Sequence, residues 1–255
     1  MATQKNSNAP IISANAPKPD EGHFVVIYGK GGIGKTTTAC MATEGLLLDC
    51  GGGGREQRID TWRIHTAADL ASALDYLESP TRPYRAAVLD GVDSLYLRTL
   101  RPDRDVRKAH KAAQDTILPL LARFWSLPIN RVLVLNEKVT KEQQLVIEDG
   151  ERLWKTFVDI SMNLPPKLSQ WVDDTSDLLI RAENSGKLDE DGNPMPTTIR
   201  VVRVTESQVN VQAKTRVDIV RNKMPLTQAL INLGIICDTA PATEAEQPAL
   251  MPAGK

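Results

Sequence analysis

An α/β fold with a mainly parallel sheet flanked by helices is predicted by three observations. Short apolar runs alternate with helical patterns from residue 23 to 136, the signature of βαβ units. The run at 86–90 is apolar up to its final Asp90, as a strand buried on both faces requires. The glycine-rich stretch GKGGIGKT at 29–36 follows the apolar run at 23–28, so a strand delivers a loop that opens into a helix.

A first strand is expected over 23–28, a short helix over 36–44 and a second strand over 46–49. Glycines 51–54 break the chain before a third strand at 62–65. Residues 67–78 place Leu70, Ala73, Leu74 and Leu77 on one helical face. The fourth strand is 86–90, and a long helix over 105–126 carries Ile117, Leu118, Leu120, Leu121 and Phe124 as its buried stripe. The fifth strand runs over 131–136. Residues 137–163 are charged and irregular, interrupted by Asp149-Gly150, and form a long loop or an extended hairpin. A helix begins after Pro165-Pro166, with Pro166 in its first turn. Strands over 177–183, 198–204 and 209–213, separated by Ser185-Gly186 and Asp191–Pro194, make the last part antiparallel. Pro225 opens a short final helix, and Gly234 stops it. The chain shows no internal repeat.

The 255 residues suit one domain over 21–237. The flanks, 1–20 and 238–255, hold too little apolar content to pack and are expected to be disordered. A short docking peptide is the alternative for the second flank. The formal net charge is −1, so a nucleic-acid partner needs a local basic patch rather than a global field. Three cysteines, Cys40, Cys50 and Cys237, lack C-x-x-C spacing and exclude a disulfide framework. No apolar run approaches membrane-spanning length, and a reducing, cytoplasmic setting without a membrane partner is expected.

Residues 29–36 complete the G-x-x-x-x-G-K-[ST] pattern of a phosphate-binding loop. Gly29, Lys30, Gly31, Gly32, Ile33, Gly34, Lys35, Thr36 and Thr37 are the expected nucleotide contacts, with backbone N–H groups and a helix N-terminus facing the phosphates of ATP. Lys35 reaches the β- and γ-phosphates, and the Thr36 hydroxyl is a Mg²⁺ ligand. Asp90 closes a buried strand at the sheet edge where the loop lies, so it is the expected second Mg²⁺ ligand. Asp93 and Ser94 either orient Asp90 or cap the next helix. Asn136, at the end of the fifth strand, is a candidate γ-phosphate sensor. Glu137 is either a general base for water or a solvated charge beside Lys138. Asp49 and glycines 51–54 are candidates for the nucleotide rim, and Cys50 between them is a small strand-end residue. Lys214 and Arg216 share one strand face and form either a γ-phosphate clamp in a neighbouring subunit or a solvated basic edge.

Two resemblances follow from these residues. VIYGKGGIGKTTTA resembles the loop of the nitrogenase iron protein and of the ParA/MinD partitioning ATPases, which implies that Lys30 acts across a dimer. The positions of Cys40 and Cys50 do not fit an iron–sulfur site of that group. Over about residues 23 to 235 the order of features resembles the phage-encoded RecA-like ATPases of recombination and single-strand annealing. A short helix separates GKTTTA from LLLDCGGG, and RIDTW at 58–62 leads into AADLASALDYL. YRAAVLDGVDSL matches a Walker B pattern, and a late Lys-x-Arg pair precedes a closing helix.

This second resemblance implies a RecA-like P-loop NTPase core with antiparallel C-terminal strands. It also implies ATP hydrolysis with Mg²⁺, a homo-oligomer, single-stranded DNA as partner, and an associated single-strand-binding protein. Lys138, Lys141, Arg152 and Lys155 would then meet phosphates and Trp154 would stack on a base. The family's glutamate after the strand-two Asp is replaced here by glycine, which leaves Glu44 or Glu137 as the substitute base. A dimeric ParA/MinD-like switch and a nucleotide-binding regulator with little turnover are the alternatives.

Overall fold

The computed structural model describes residues 22–101, 104–148, 151–183, 198–200, 209–211, 214–215 and 224–237. Six strands form its parallel centre. β1 (Phe24–Gly29) pairs with β5 (Asn130–Glu148) on one side and β7 (Leu178–Glu183) on the other. β5 pairs next with β4 (Ala86–Asp90), then come β2 (Gly45–Asp49) and β3 (Asp60–Arg63), all in parallel. Each crossover carries the chain back along one face of the sheet or the other, so every parallel strand ends on the same edge.

Apolar side chains alternate between the two faces of these strands and feed two cores. Phe24, Val26 and Tyr28 pack with α2 (Ala67–Glu78), α3 (Val92–Thr99), α4 (Val106–Ser126) and α5 (Pro166–Thr175). Val25 and Ile27 face α1 (Lys35–Ala39) and α6 (Leu226–Asn232). Phe24 meets Phe124 of α4 edge to face, with centroids 6.2 Å apart. Helix α2 has the expected bounds and buries the expected four residues. It starts at a capping box, in which the Thr66 hydroxyl accepts from Asp69 N–H and the Asp69 carboxylate accepts from Thr66 N–H.

Several expectations need correction. The first helix ends at Ala39 rather than near 44, because the chain turns to meet the end of α6: Thr43 N–H donates to the Ile235 carbonyl at 3.0 Å. Helix α3 is an element of its own between Asp90 and the long helix. The fifth strand does not stop at 136. β5 continues to Glu148 and folds back as β6 (Glu151–Met162), pairing from Glu137↔Met162 out to Glu148↔Glu151. The hairpin alternative for 137–163 is therefore the one adopted.

Short β8 (Thr198–Arg200) and β10 (Lys214–Thr215) run antiparallel to β7, as expected. β9 (Val209–Val211) instead pairs in parallel with β6, because the arm offers it an edge remote from β7. The remainders of the expected strands at 198–204 and 209–213 lie outside the described residues. So do Asp149-Gly150, the turns at 185–186 and 191–194, Arg216 and both flanks.

Candidate nucleotide site

The loop between β1 and α1 turns through Gly34, which stands in the left-handed region at φ 87 as the N-cap of α1. Lys35 is buried, and its Nζ donates to the carbonyls of Gly29 at 2.9 Å and Lys30 at 2.8 Å. Burial holds its pKa below the ordinary lysine value, against the pull of the Asp90, Glu137 and Asp93 charges. A cation with no carboxylate bonded to it is a ready partner for phosphate. Nothing stands within 4 Å of where a Cβ on Gly31 or Gly32 would lie, so the loop's outer face is open.

Thr36 Oγ1 donates to Asp90 Oδ2 at 2.8 Å, bringing together two residues 54 apart in sequence. Burial pushes the Asp90 carboxyl above its usual range, the Thr36 hydrogen bond pulls it back, and Asp49 raises it further. A Cβ on Gly53 would lie 3.4 Å from Asp90 Oδ2 and 4.0 Å from Thr36 Oγ1, so glycine keeps the approach to the pair clear. These hard oxygen donors fit Mg²⁺, which takes one or two protein ligands and keeps its remaining waters and phosphate oxygens. Among the described residues no group of three or more His, Cys, Asp or Glu offers a different kind of metal site.

Asp49 is not free to line a nucleotide rim. Its two oxygens accept from Gly52 N–H at 2.6 Å and Gly54 N–H at 3.1 Å, fixing the glycine turn beside Asp90. Gly91, at φ 78, lets that turn approach: a Cβ there would stand 2.8 Å from Gly51 N. Cys50 is buried, and burial pushes its thiol well above the usual range, in keeping with a packing role.

Asn136 sits level with Gly29 across the β1–β5 pairing, at the mouth of the phosphate loop. Its Nδ2 donates to Asp93 Oδ2 at 3.1 Å, and Asn163 Nδ2 donates to the same oxygen at 3.4 Å. Asp93 therefore neither caps α3 nor bonds Asp90. Glu137 is not a solvated charge beside Lys138. Its carboxylate meets Arg181 Nε at 3.0 Å with both side chains largely buried, and Arg181 also holds Glu183. Glu44 precedes β2 at the sheet edge opposite the loop and pairs with Arg85 at 2.7 Å, so it is remote from the phosphates. Lys214 lies on edge strand β10 opposite Leu179, and its partner Arg216 lies outside the described residues.

Sequence reasoning missed Arg181, Asn163 and the linkage through Asp93. An arginine inside the apolar run LLIRAE signals a buried partner, but nothing local marks Asn163.

The strand–loop–helix cradle, its buried lysine and the Thr36–Asp90 pair define a P-loop nucleotide-binding protein on an α/β core. The chain belongs to the AAA domain family, whose model matches residues 21–217. No curated protein matches the chain.

Proposed function

We propose that the protein is a Mg²⁺-dependent, RecA-like ATPase of DNA recombination that grips single-stranded DNA as an oligomer. Lys35 and the loop amides hold the phosphates, and Thr36 and Asp90 are the residues for Mg²⁺. The bound ion would neutralise charge on the β- and γ-phosphates. Asn136 senses the γ-phosphate from the strand between the loop strand and the Asp90 strand. Lys214 and Arg216 complete the site of a neighbouring subunit, and a single-strand-binding protein is a further partner.

The DNA part is carried by the sorting of side chains on the β5–β6 arm. Its register pairs Lys141 with Val158, Leu145 with Trp154 and Ile147 with Arg152, and alternation puts these six on one face. Glu142 and Asp159 fall on the other face, and so do Lys138 and Lys155, which are therefore not part of the proposed contact. From Val139 to Ile147, and from Arg152 to Ile160, the first face carries no carboxylate. Trp154 is 70% exposed and Ile147 71%. An exposed indole flanked by cations suits a single strand, whose bases stack while its phosphates meet Lys141 and Arg152.

The test is ATP turnover with and without single-stranded DNA, in wild type and in Lys35→Ala. Turnover stimulated by DNA in wild type and lost in Lys35→Ala is expected. DNA-indifferent turnover, with no DNA binding under ATP at low salt, overturns the recombination part.

A second reading, the ParA/MinD-like dimeric switch, is favoured by the exposure of Lys30 on the loop. It requires Lys30→Ala to abolish ATP-dependent dimerisation, which sedimentation measures directly.

A further inference from the structure

We propose that Asp93 is the carboxylate that takes the proton of the attacking water, with Asn136 and Asn163 as its positioning residues. The inference rests on the hydrolysis proposed above and assigns its base. Asp93 is only 6% exposed, yet the two asparagines that bond it, Asn136 and Asn163, are both exposed. Both asparagine amides bond Oδ2 alone, so that oxygen is held from two sides. Oδ1 is fully buried and has no hydrogen-bond partner among the described residues.

Buried polar atoms are nearly always paired, and an orphaned one in a native fold calls for a ligand or a catalytic reason. A carboxylate has only acceptor sites, so the missing partner is a donor, and water is the smallest donor the reaction supplies.

The position agrees. Asp93 is the second residue of α3, directly after the Asp90–Gly91 bend, and it is bonded to Asn136, which is level with the first residue of the phosphate loop. Its charge acts on both Lys35 and Asp90. The rival carboxylates are committed elsewhere: Glu137 to Arg181, Asp49 to two backbone amides, Glu44 to the far edge of the sheet.

In the step itself, Oδ1 accepts a proton from water as the water oxygen forms its bond to the γ-phosphorus. The bond from that phosphorus to the bridging oxygen breaks, and its electron pair stays on the β-phosphate of ADP. The proton then passes from Asp93 to phosphate or solvent, which restores the carboxylate.

Wild type, Asp93→Asn, Asp93→Ala and Asn163→Ala are compared as full chains, with Mg·ATP turnover and binding of a fluorescent ATP analogue as separate readouts. Asp93→Asn is expected to lose about 10²- to 10⁴-fold in kcat, the range general-base catalysis supplies, with analogue affinity within about threefold of wild type. Added formate is expected to restore turnover to Asp93→Ala, which a merely structural carboxylate would not allow. Asn163→Ala, at an exposed position, is expected to lower kcat without moving affinity.

Asp93→Asn turning over within about threefold of wild type, or losing affinity in proportion to kcat, overturns the assignment. Should Asp93→Asn not fold, Asn163→Ala decides: unchanged kcat overturns the assignment, and a selective fall in kcat supports it. Wild type without turnover, with DNA or without it, overturns the hydrolysis reading and this assignment together. Wild-type turnover that survives in Asp93→Asn overturns this assignment alone.

Discussion

Asp90 is a carboxylate buried at a cost to the fold. Among the described residues its hydrogen-bond donor is the Thr36 hydroxyl at 2.8 Å, while burial raises its pKa above the unfolded value. The folded state then binds this proton more readily than the unfolded chain does. The associated stability is fully present below the unfolded pKa and is lost as pH rises through the raised folded one. At neutral pH the charge is a cost, and Asp90→Asn removes it while leaving an acceptor for Thr36. In nucleotide-free protein this substitution is expected to raise Tm at pH 7 by about 2–4 °C, the size of a 1 kcal/mol change in a chain of this length. The gain should shrink towards about pH 4, where the unfolded carboxylate also protonates. Thermal melts at the two pH values check it, and loss of Mg²⁺-dependent ATP binding in the same variant ties the cost to the site.

Among the elements, β5 has two jobs separated at Asn136. Up to that residue it lies between β1 and β4, with Val132, Leu133, Val134 and Leu135 buried. Beyond it, twelve pairs with β6 carry the arm roughly 36 Å along the strand direction, at about 3.3 Å per residue. Asn136, the proposed γ-phosphate sensor, is thus the residue at which the strand leaves the sheet, and in that role it would link nucleotide and arm. Trp154→Ala removes an exposed side chain and is expected to leave stability within about 0.5 kcal/mol of wild type. The same change is expected to weaken single-stranded DNA binding by about 1–3 kcal/mol, read by fluorescence anisotropy at fixed low salt. An ordinary surface hairpin would show no change in DNA affinity.

The whole molecule is a sheet covered by helices on both faces, with its chemistry at the carboxyl ends of the parallel strands. Gly29, Asp49, Asp90 and Asn136 come from four strands and meet at that edge because every crossover returns to it. Among the described residues no helix is long and apolar enough to cross a membrane. Ligand binding at an edge shared by so many strands should stabilise the fold as a unit. Mg·ATP at a hundredfold excess over its Kd is expected to add about 2.7 kcal/mol to folding stability. The shift in Tm should disappear with EDTA and in Lys35→Ala, where differential scanning calorimetry with and without nucleotide measures it.

The positions of β1, β2 and β4, the bounds of α2, the phosphate loop and the strand end at Asp90 were legible in the chain because each is set by neighbours a few residues away, whereas the third strand expected at 62–65 lies at Asp60–Arg63. Periodicity marks the buried face of a helix, and the glycine–lysine spacing marks the loop, before any tertiary contact forms. The alternatives left open at 137–163 and at Glu137 could not be closed that way. Asp93 and Asn136 are 43 residues apart, Asp93 and Asn163 are 70, and Arg181 and Glu137 are 44. These pairs exist only because β5 inserts between β1 and β4 and β7 closes the other side, an order that differs from the order in the chain. The same holds for the arm, where acidic and basic residues alternate in the linear sequence until pairing register sets Lys141 and Arg152 on one face and leaves Lys138 and Lys155 with the carboxylates on the other. The local code thus names the ligand through Lys35 and Thr36. Which groups meet Asp93, and which face of the arm is free of carboxylates beyond Glu137, depend on strand order and register, and those are set by burial of the whole sheet between its two layers of helices.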